Sequence, residues 1–500
     1  MDHQRNSRRD FLKKTALGTT AVSLGSKGYS EILVEQEGPF FGNGLRNGWA
    51  DQNAIVIWTR LTKNPDMNTN GKKFKAITDD VHKALADSTN EEEIYRAQIP
   101  SGYQLDEMEG ACPGALGEVR LRYYPENEPD ATQEIAWATV DQDKNFTMQW
   151  NLQNLQSGTR YKLTLEARAH ASAKVSHAIE GAFQTPPDAE HSQDIDFCIV
   201  TCHDYIRRDS AKGHLIYPAM SDLAPDFFVH TGDIEYYDKP EPYALTEKLM
   251  RFKWDRIFAL PHQRKFYSQT TSYFMKDDHD TLSDDAYAGM TYGTVSFERG
   301  LDIFDKEQFP SNEKPYKTIR WGRDLQIWLM EGRNFRSKNT DPDGPDKTIW
   351  GKEQKAWLFQ TMKASDATFK ILISPTPILG PDRENKHDNF SNSNFDYEGD
   401  EIRNFVDQYN NVFMCNGDRH WQYVTHWENT NLWEFGCGPG SDEHAGGWSQ
   451  ENKLPEHRFL RVKGGFLKGS VTRENGASIL KFQHFDVKGK VVHEEIFKEK

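Results

Sequence analysis

The segment D-F-C-I-V-T-C-H-D, Asp196 to Asp204, decides the fold: a short apolar run rich in β-branched and aromatic residues ends abruptly in Cys202, His203 and Asp204. The pattern recurs along the chain. D-F-F-V-H-T-G leads to Asp233, with Tyr236 three residues on, and S-Y-F-M-K leads to Asp277, Asp278, His279 and Asp280. L-Q-I-W-L-M leads to Glu331 and Arg333, and N-V-F-M-C-N-G leads to Asp418, Arg419 and His420. Runs so short and continuously apolar are expected for strands covered on both faces. F-K-I-L-I-S and L-W-E-F add two more, and stretches such as Y-A-L-T-E-K-L-M-R-F-K-W-D-R-I-F-A-L and G-K-E-Q-K-A-W-L-F-Q-T-M-K-A-S read as helices between them. Residues 194–500 are therefore predicted to form a layered α/β domain, with further antiparallel strands in the last 45 residues. Ligands of open α/β sheets bind beyond the carboxyl ends of the strands, so the five polar clusters are predicted to meet in one crevice.

Upstream the texture differs. Between residues 36 and 188, A-I-V-I-W-T-R-L, E-V-R-L-R-Y-Y, Q-E-I-A-W-A-T-V, F-T-M-Q-W-N-L, R-Y-K-L-T-L-E-A-R-A and G-A-F-Q-T-P-P alternate with a period of two and are punctuated by turn residues. This is the mark of an all-β sandwich. L-Q-N-L-Q-S-G-T-R-Y, ending in Tyr161, resembles the tyrosine corner of fibronectin type III and immunoglobulin-like sandwiches. A charged insertion at about 68–117 is expected to be helical, and Pro186 and Pro187 mark the expected boundary with the second domain.

The chain has 500 residues and a formal net charge of −15, from Asp+Glu 76 against Lys+Arg 61. It is long enough for two or three domains with sizeable cores. Its acidic balance argues against a binder of duplex nucleic acid or of anionic membranes, which need basic surface. Five widely spaced Cys (112, 198, 202, 415, 437) contain no C-x-x-C pair, so neither a disulfide framework nor a zinc knuckle is legible. Cys198 and Cys415, inside apolar runs, read as buried hydrophobes. Residues 1–33 contain S-R-R-D-F-L-K-K followed by a short Ala/Thr/Gly-rich stretch too polar to span a bilayer. They resemble a twin-arginine export signal, which implies the twin-arginine machinery as a partner and a periplasmic, cell-surface or secreted location. Removing residues 1–30 takes away six Lys/Arg and two Asp, so the remainder is more acidic still.

Asp, His, Tyr and Cys suit cations such as Fe3+, Zn2+ or Mn2+, and clustered carboxylates without a counter-cation repel one another. The strand-end sequence Cys202, then G-D-I-E-Y (Asp233, Tyr236), then D-D-H-D (Asp278, His279, Asp280), then G-D-R-H-W (Asp418, His420) resembles the alkaline phosphatase D branch of the calcineurin-like metallophosphoesterases. A-D-Q-N-A-I-V-I-W-T-R-L resembles that family's opening strand, and the export signal belongs to it too. The resemblance implies a four-layer α/β/β/α metallophosphoesterase sandwich behind a fibronectin/immunoglobulin-like sandwich. It implies an exported phosphatase that hydrolyses phosphate monoesters or diesters with a metal-activated hydroxide. Its implied metals are Fe3+ held by Cys202, Asp233 and Tyr236, with Asp233 bridging to one or two Ca2+, and Asp278, Asp418 and His420 completing the cage. His279 would contact the phosphoryl group or assist the leaving group, and Arg333 would clamp the phosphate.

The chain departs from that pattern at three places. Glu331 stands where the family usually has Asp, and His203 and Asp204 follow Cys202 in place of the usual Gln, leaving both open as further ligands or substrate contacts. The long polar segment from Pro381 to Glu401 reads as a lid, with His444, Trp421 and Trp448 near the mouth. These departures keep open hydrolysis of another ester, such as a phospholipid or a phosphorylated glycan. A third reading is a surface adhesion or glycan-binding protein whose metal site has degenerated.

Overall fold

The computed structural model describes residues 38–312 and 314–499, which lie in one compact unit, Gly38–Lys500. The twin-arginine segment lies outside the described residues. Every apolar run that leads to a polar cluster is a strand: Ile195–Val200, Phe227–His230, Thr271–Phe274, Leu325–Leu329 and Val412–Asn416.

The strands fall into two large sheets. One has six strands in the order Thr271–Phe274, Phe227–His230, Ile195–Val200, Gly465–Glu474, Ala477–Asp486, Val491–Lys498. Its first three strands run parallel, and the last three, the expected C-terminal strands, are antiparallel. The other has seven strands, with Leu325–Leu329, Phe369–Ser374, Val412–Asn416 and Trp433–Cys437 parallel to their neighbours at its centre.

Period-two alternation assigns the layers. Phe197, Ile199, Phe227 and Val229 face a core shared with Ile327, Trp321, Phe413 and Phe435 of the seven-stranded sheet, and Phe227 stacks on Trp321 with centroids 4.5 Å apart. Their neighbours Cys198, Val200 and Phe228 point the other way, against Trp254, Ile257 and Phe266 of the helices Glu247–Phe258 and Pro261–Tyr267. On the far side Trp328, Leu372 and Met414 meet Leu358, Met362, Ile402 and Val406 of the helices Lys352–Ala364 and Asp396–Val406. Helix, sheet, sheet and helix thus form four layers, as expected.

The N-terminal part is a three-stranded sheet (Leu45–Gly48, Ile55–Arg60, Thr147–Leu152) and a four-stranded one (Gln133–Thr139, Glu118–Pro125, Arg160–Arg168, His177–Gln184). Gln156 N donates to the Tyr161 hydroxyl at 2.8 Å, which closes the corner. The insertion carries the helices Asp79–Ala86 and Glu91–Gln98, capped by the Thr78 and Asn90 side chains. The two parts share an apolar core that runs from Leu45 and Ile57 to Phe197 and Tyr273. Arg60 and Asp255 form an ion pair of 2.9 Å between them, buried at 2% and 9% side-chain exposure. Asn145 Nδ2 donates to Asp255 at 2.9 Å. Among the described residues no helix is long and apolar enough to cross a membrane.

Candidate metal centre

The residues after four of the strands that lead to polar clusters come together at the seam of the two sheets, and those after Leu325–Leu329 stay behind them. Asp233 is the hub of the site. One of its carboxylate oxygens, Oδ2, lies 3.4 Å from Cys202 Sγ and accepts from the Tyr236 hydroxyl at 3.1 Å, and that hydroxyl is 3.1 Å from His420 Nε2. Three groups of donor atoms lie close enough to hold an ion: Cys202, Asp233 and His420; Asp233, Asp278 and His279; Asp233, Asp277 and Asp418. Asp233 belongs to all three.

The backbone is bent to deliver these side chains. Cys202, Asp233 and Asp418 stand in the left-handed region, at φ 41°, 54° and 62°. Each such non-glycine conformation costs on the order of 1–3 kcal/mol and persists only where its surroundings enforce it. The enforcement is visible. Cys202 N and His203 N donate to Gly232 O and Asp233 O, and Asp418 N donates to Thr201 Oγ1. Asp280 Oδ1 accepts from Ile234 N at 2.8 Å and Glu235 N at 3.2 Å, while its Oδ2 accepts from Asp277 N at 3.2 Å. Lys253 Nζ donates to the Tyr236 and Lys239 carbonyls from below. The glycine of G-D-I-E-Y is required: a Cβ on Gly232, at φ 112°, would sit 2.7 Å from the Asp277 backbone.

Acidic donors are packed closely here. Burial pushes the Cys202 thiol, the Asp233 carboxyl and the Tyr236 phenol well above their ordinary ranges, and repulsion among neighbouring anions adds to it. Asp233 Oδ1 and Asp277 Oδ2 are buried without a hydrogen-bond partner among the described residues. A cation between them relieves both the repulsion and the missing bonds, so the donor set fits bound metal.

The structure also relocates several residues. Arg333, expected to clamp phosphate, is 2% exposed and sits behind the pocket, its Nε donating to Asp277 Oδ1 at 2.6 Å and its Nη2 lying 3.7 Å from Asp278. It props two carboxylates and does not line the cavity. Asp277, passed over in favour of Asp278, stands in a donor group of its own. His203 is no ligand: its Nδ1 is 2.9 Å from Ile234 O and its Nε2 2.5 Å from the Tyr217 hydroxyl. Asp204 holds Arg207, with Nη2 at 2.6 Å. Glu331 braces the turn after its strand by accepting from Arg333 N at 2.5 Å and pairing with Lys276 at 2.8 Å. All five Cys are free and buried.

The pocket itself is a cavity of about 210 Å³. Asp233, Tyr236, Asp278, His279, Asp418 and His420 form its floor, and Arg207, Lys239, Arg383 and Lys386 ring it with positive charge. The segment from Pro381 to Glu401 supplies Arg383, Lys386 and Asp388 to the wall before entering the helix Asp396–Val406. Arg419 ties that wall to the floor, pairing with Asp418 at 2.7 Å, Asp388 at 3.1 Å and Asp382. Trp421 lines the cavity with Trp448 stacked on it at 5.3 Å, and His444 packs behind His420 at 4.4 Å between centroids. His279 Nδ1 lies 2.7 Å from Asp238 Oδ1. Burial opposes a charge on this imidazole, but Asp238, Asp278 and Asp233 outweigh it and raise its pKa well above the usual value.

Residues 304–487 match the family model described as PhoD-like phosphatase. The structure of PhoD superposes with a TM-score of 0.66 at 14% identity, over 95% of this chain and 92% of that one. The purple acid phosphatase PPD1 from seeds of yellow lupin (Lupinus luteus) gives a TM-score of 0.58 at 11% identity, over 90% of this chain and 73% of that one. No curated protein matches the chain in sequence.

Proposed function

We propose that this chain is a phosphoric ester hydrolase of the PhoD-like phosphatases, whose family model matches residues 304–487, and that it hydrolyses phosphate monoesters or diesters with Fe3+ and Ca2+ held around Asp233. The observation that carries the reading is that Asp233, at the cavity floor, is common to three groups of donor atoms each close enough to hold an ion. Cys202, Tyr236 and His420 add sulfur, phenol and imidazole donors on one side, suited to Fe3+, and Asp277, Asp278 and Asp418 add only carboxylates on the other, suited to Ca2+. Zn2+ or Mn2+ are the alternative occupants. Bound there, such cations supply Lewis acidity to phosphoryl oxygens and lower the pKa of water.

The chain's own residues do the rest. His279, oriented by Asp238 Oδ1 at 2.7 Å from its Nδ1 and lining the cavity, is placed to give a proton to the departing oxygen when its ring is charged. Arg333 and Asp280 fix the carboxylates and the loop that carry the donors, and the Trp421 indole, with Trp448 stacked on it, forms part of the cavity wall. Export through the twin-arginine pathway belongs to the same proposal and is supported by S-R-R-D-F-L-K-K at residues 7–14.

The test is metal analysis of the purified protein together with turnover of a chromogenic phosphomonoester and phosphodiester. Iron with calcium and hydrolysis of either ester are expected. Protein that takes up no metal and stays inactive after supply of Fe3+ and Ca2+ overturns the reading.

A further inference from the structure

With Arg333 turned inward, the anion-binding role at the cavity passes to another group. Four basic side chains ring the pocket: Arg207, Lys239, Arg383 and Lys386. They are not equivalent. Lys386 pairs with Asp388 at 3.2 Å, and Arg383 leans on its chain neighbour Asp382 at 3.4 Å and over the Trp421 ring at 5.7 Å. Arg207 is built in. Asp204, 3% exposed, accepts from its backbone N at 2.7 Å, from Nε at 2.8 Å and from Nη2 at 2.6 Å. Both guanidinium bonds fall on Asp204 Oδ2 and leave Nη1 without a protein hydrogen-bond partner among the described residues. The guanidinium carbon stands 5.3 Å from the centroid of the Tyr236 ring, which places the fork over one of the candidate metal donors.

A guanidinium fixed on one edge by a carboxylate loses little freedom when its other edge takes a ligand. Its planar donors match two oxygens of a tetrahedral anion. We propose that Arg207 is the phosphoryl-binding arginine of this site, with Asp204 as its positioning residue. The proposal rests on the phosphoesterase reading and adds the residue that recognises the anion, which the sequence resemblance had assigned to Arg333.

The experiment is calorimetric titration of inorganic phosphate into metal-loaded protein, with inhibition by phosphate measured in parallel, for the parent, Arg207→Gln, Arg207→Lys and Asp204→Asn. Metal content and melting temperature are recorded for each. Loss of a charge-assisted hydrogen bond predicts that Arg207→Gln binds phosphate about 10–100-fold more weakly with metal content unchanged. Arg207→Lys should recover part of the loss, because a single ammonium keeps the charge without the fork. Asp204→Asn should weaken phosphate in the same direction by a smaller factor and raise KM more than it lowers kcat. Phosphate affinity in both Arg207 variants equal to the parent's, with metal bound, overturns the assignment. A parent protein that binds no metal and turns over no ester overturns the function instead, so the two failures are distinguishable.

Discussion

The Tyr236 hydroxyl lies 3.1 Å from His420 Nε2, although one follows a strand of the six-stranded sheet and the other a strand of the seven-stranded sheet. The pocket exists only where the two sheets meet, and this pair spans the seam. Replacing Tyr236 by Phe keeps the ring and its packing on His279, at 4.2 Å between centroids, and removes only the oxygen. We expect metal affinity to fall by at least the ~10–100-fold that losing an outer partner costs. The visible absorption of a phenolate bound to iron should vanish with it. Retained colour in Tyr236→Phe counts against Tyr236 as a ligand.

Asp280 donates nothing to the cavity, yet it accepts three backbone N–H groups from the two loops that carry Asp233 and Asp277. Asp280→Ala leaves those buried donors unpaired, at about 1–3 kcal/mol each. The variant should therefore unfold at lower denaturant and bind metal poorly while keeping every candidate ligand. Unchanged metal stoichiometry and midpoint would show that the loops hold their shape without it.

The Arg60 to Asp255 pair joins the N-terminal sandwich to the helix Glu247–Phe258. Asp255→Ala strands a buried guanidinium and should cost about 3–5 kcal/mol. Urea unfolding would read this directly, and a loss below 1 kcal/mol would mean that the interface relaxes around the lone charge.

Acid lability should come partly from His484, which is buried with Nε2 3.0 Å from Gly436 O. Burial lowers its pKa from 6.5 to about 3. The unfolded chain therefore takes up this proton first, and the stability tied to a neutral His484 is complete above about pH 6.5 and lost as pH falls toward 3. The slope for one such group is at most about 1.4 kcal/mol per pH unit. Asp255 acts oppositely, since burial raises its carboxyl to about 6 and the fold binds that proton before the unfolded chain does. Comparing His484→Gln with the parent isolates the histidine: the variant's stability should fall less steeply between pH 6.5 and 3, and equal slopes refute the assignment.

The strands were legible because both faces of each are covered, so their sequences are unbroken apolar runs, and the donors were legible because they follow those runs directly. Side-chain direction was not. Arg333 lies only a few residues past Leu329, yet it turns back under the pocket to meet Asp277, a choice made by partners far away in sequence. Asp277 and Asp278 are adjacent at the start of the short helix Asp278–Thr281, where one residue turns a side chain by about 100°, and spacing does not say which carboxylate joins the donor groups. Arg207 sits in an irregular loop with no periodicity to flag it. Its one sequence cue is Asp204 three residues before it.

The strand that presents Cys202 is bordered on one side by Phe227–His230 and on the other by Gly465–Glu474, paired from Leu467 to Val471. During synthesis His420 leaves the ribosome before that second border exists. A nascent chain thus holds every candidate donor while the bed of Cys202 is still half open, and a product stopped short of residue 465 has the donors without the bed. The bed on which Cys202 stands is therefore complete only once the last strands of the chain have been made.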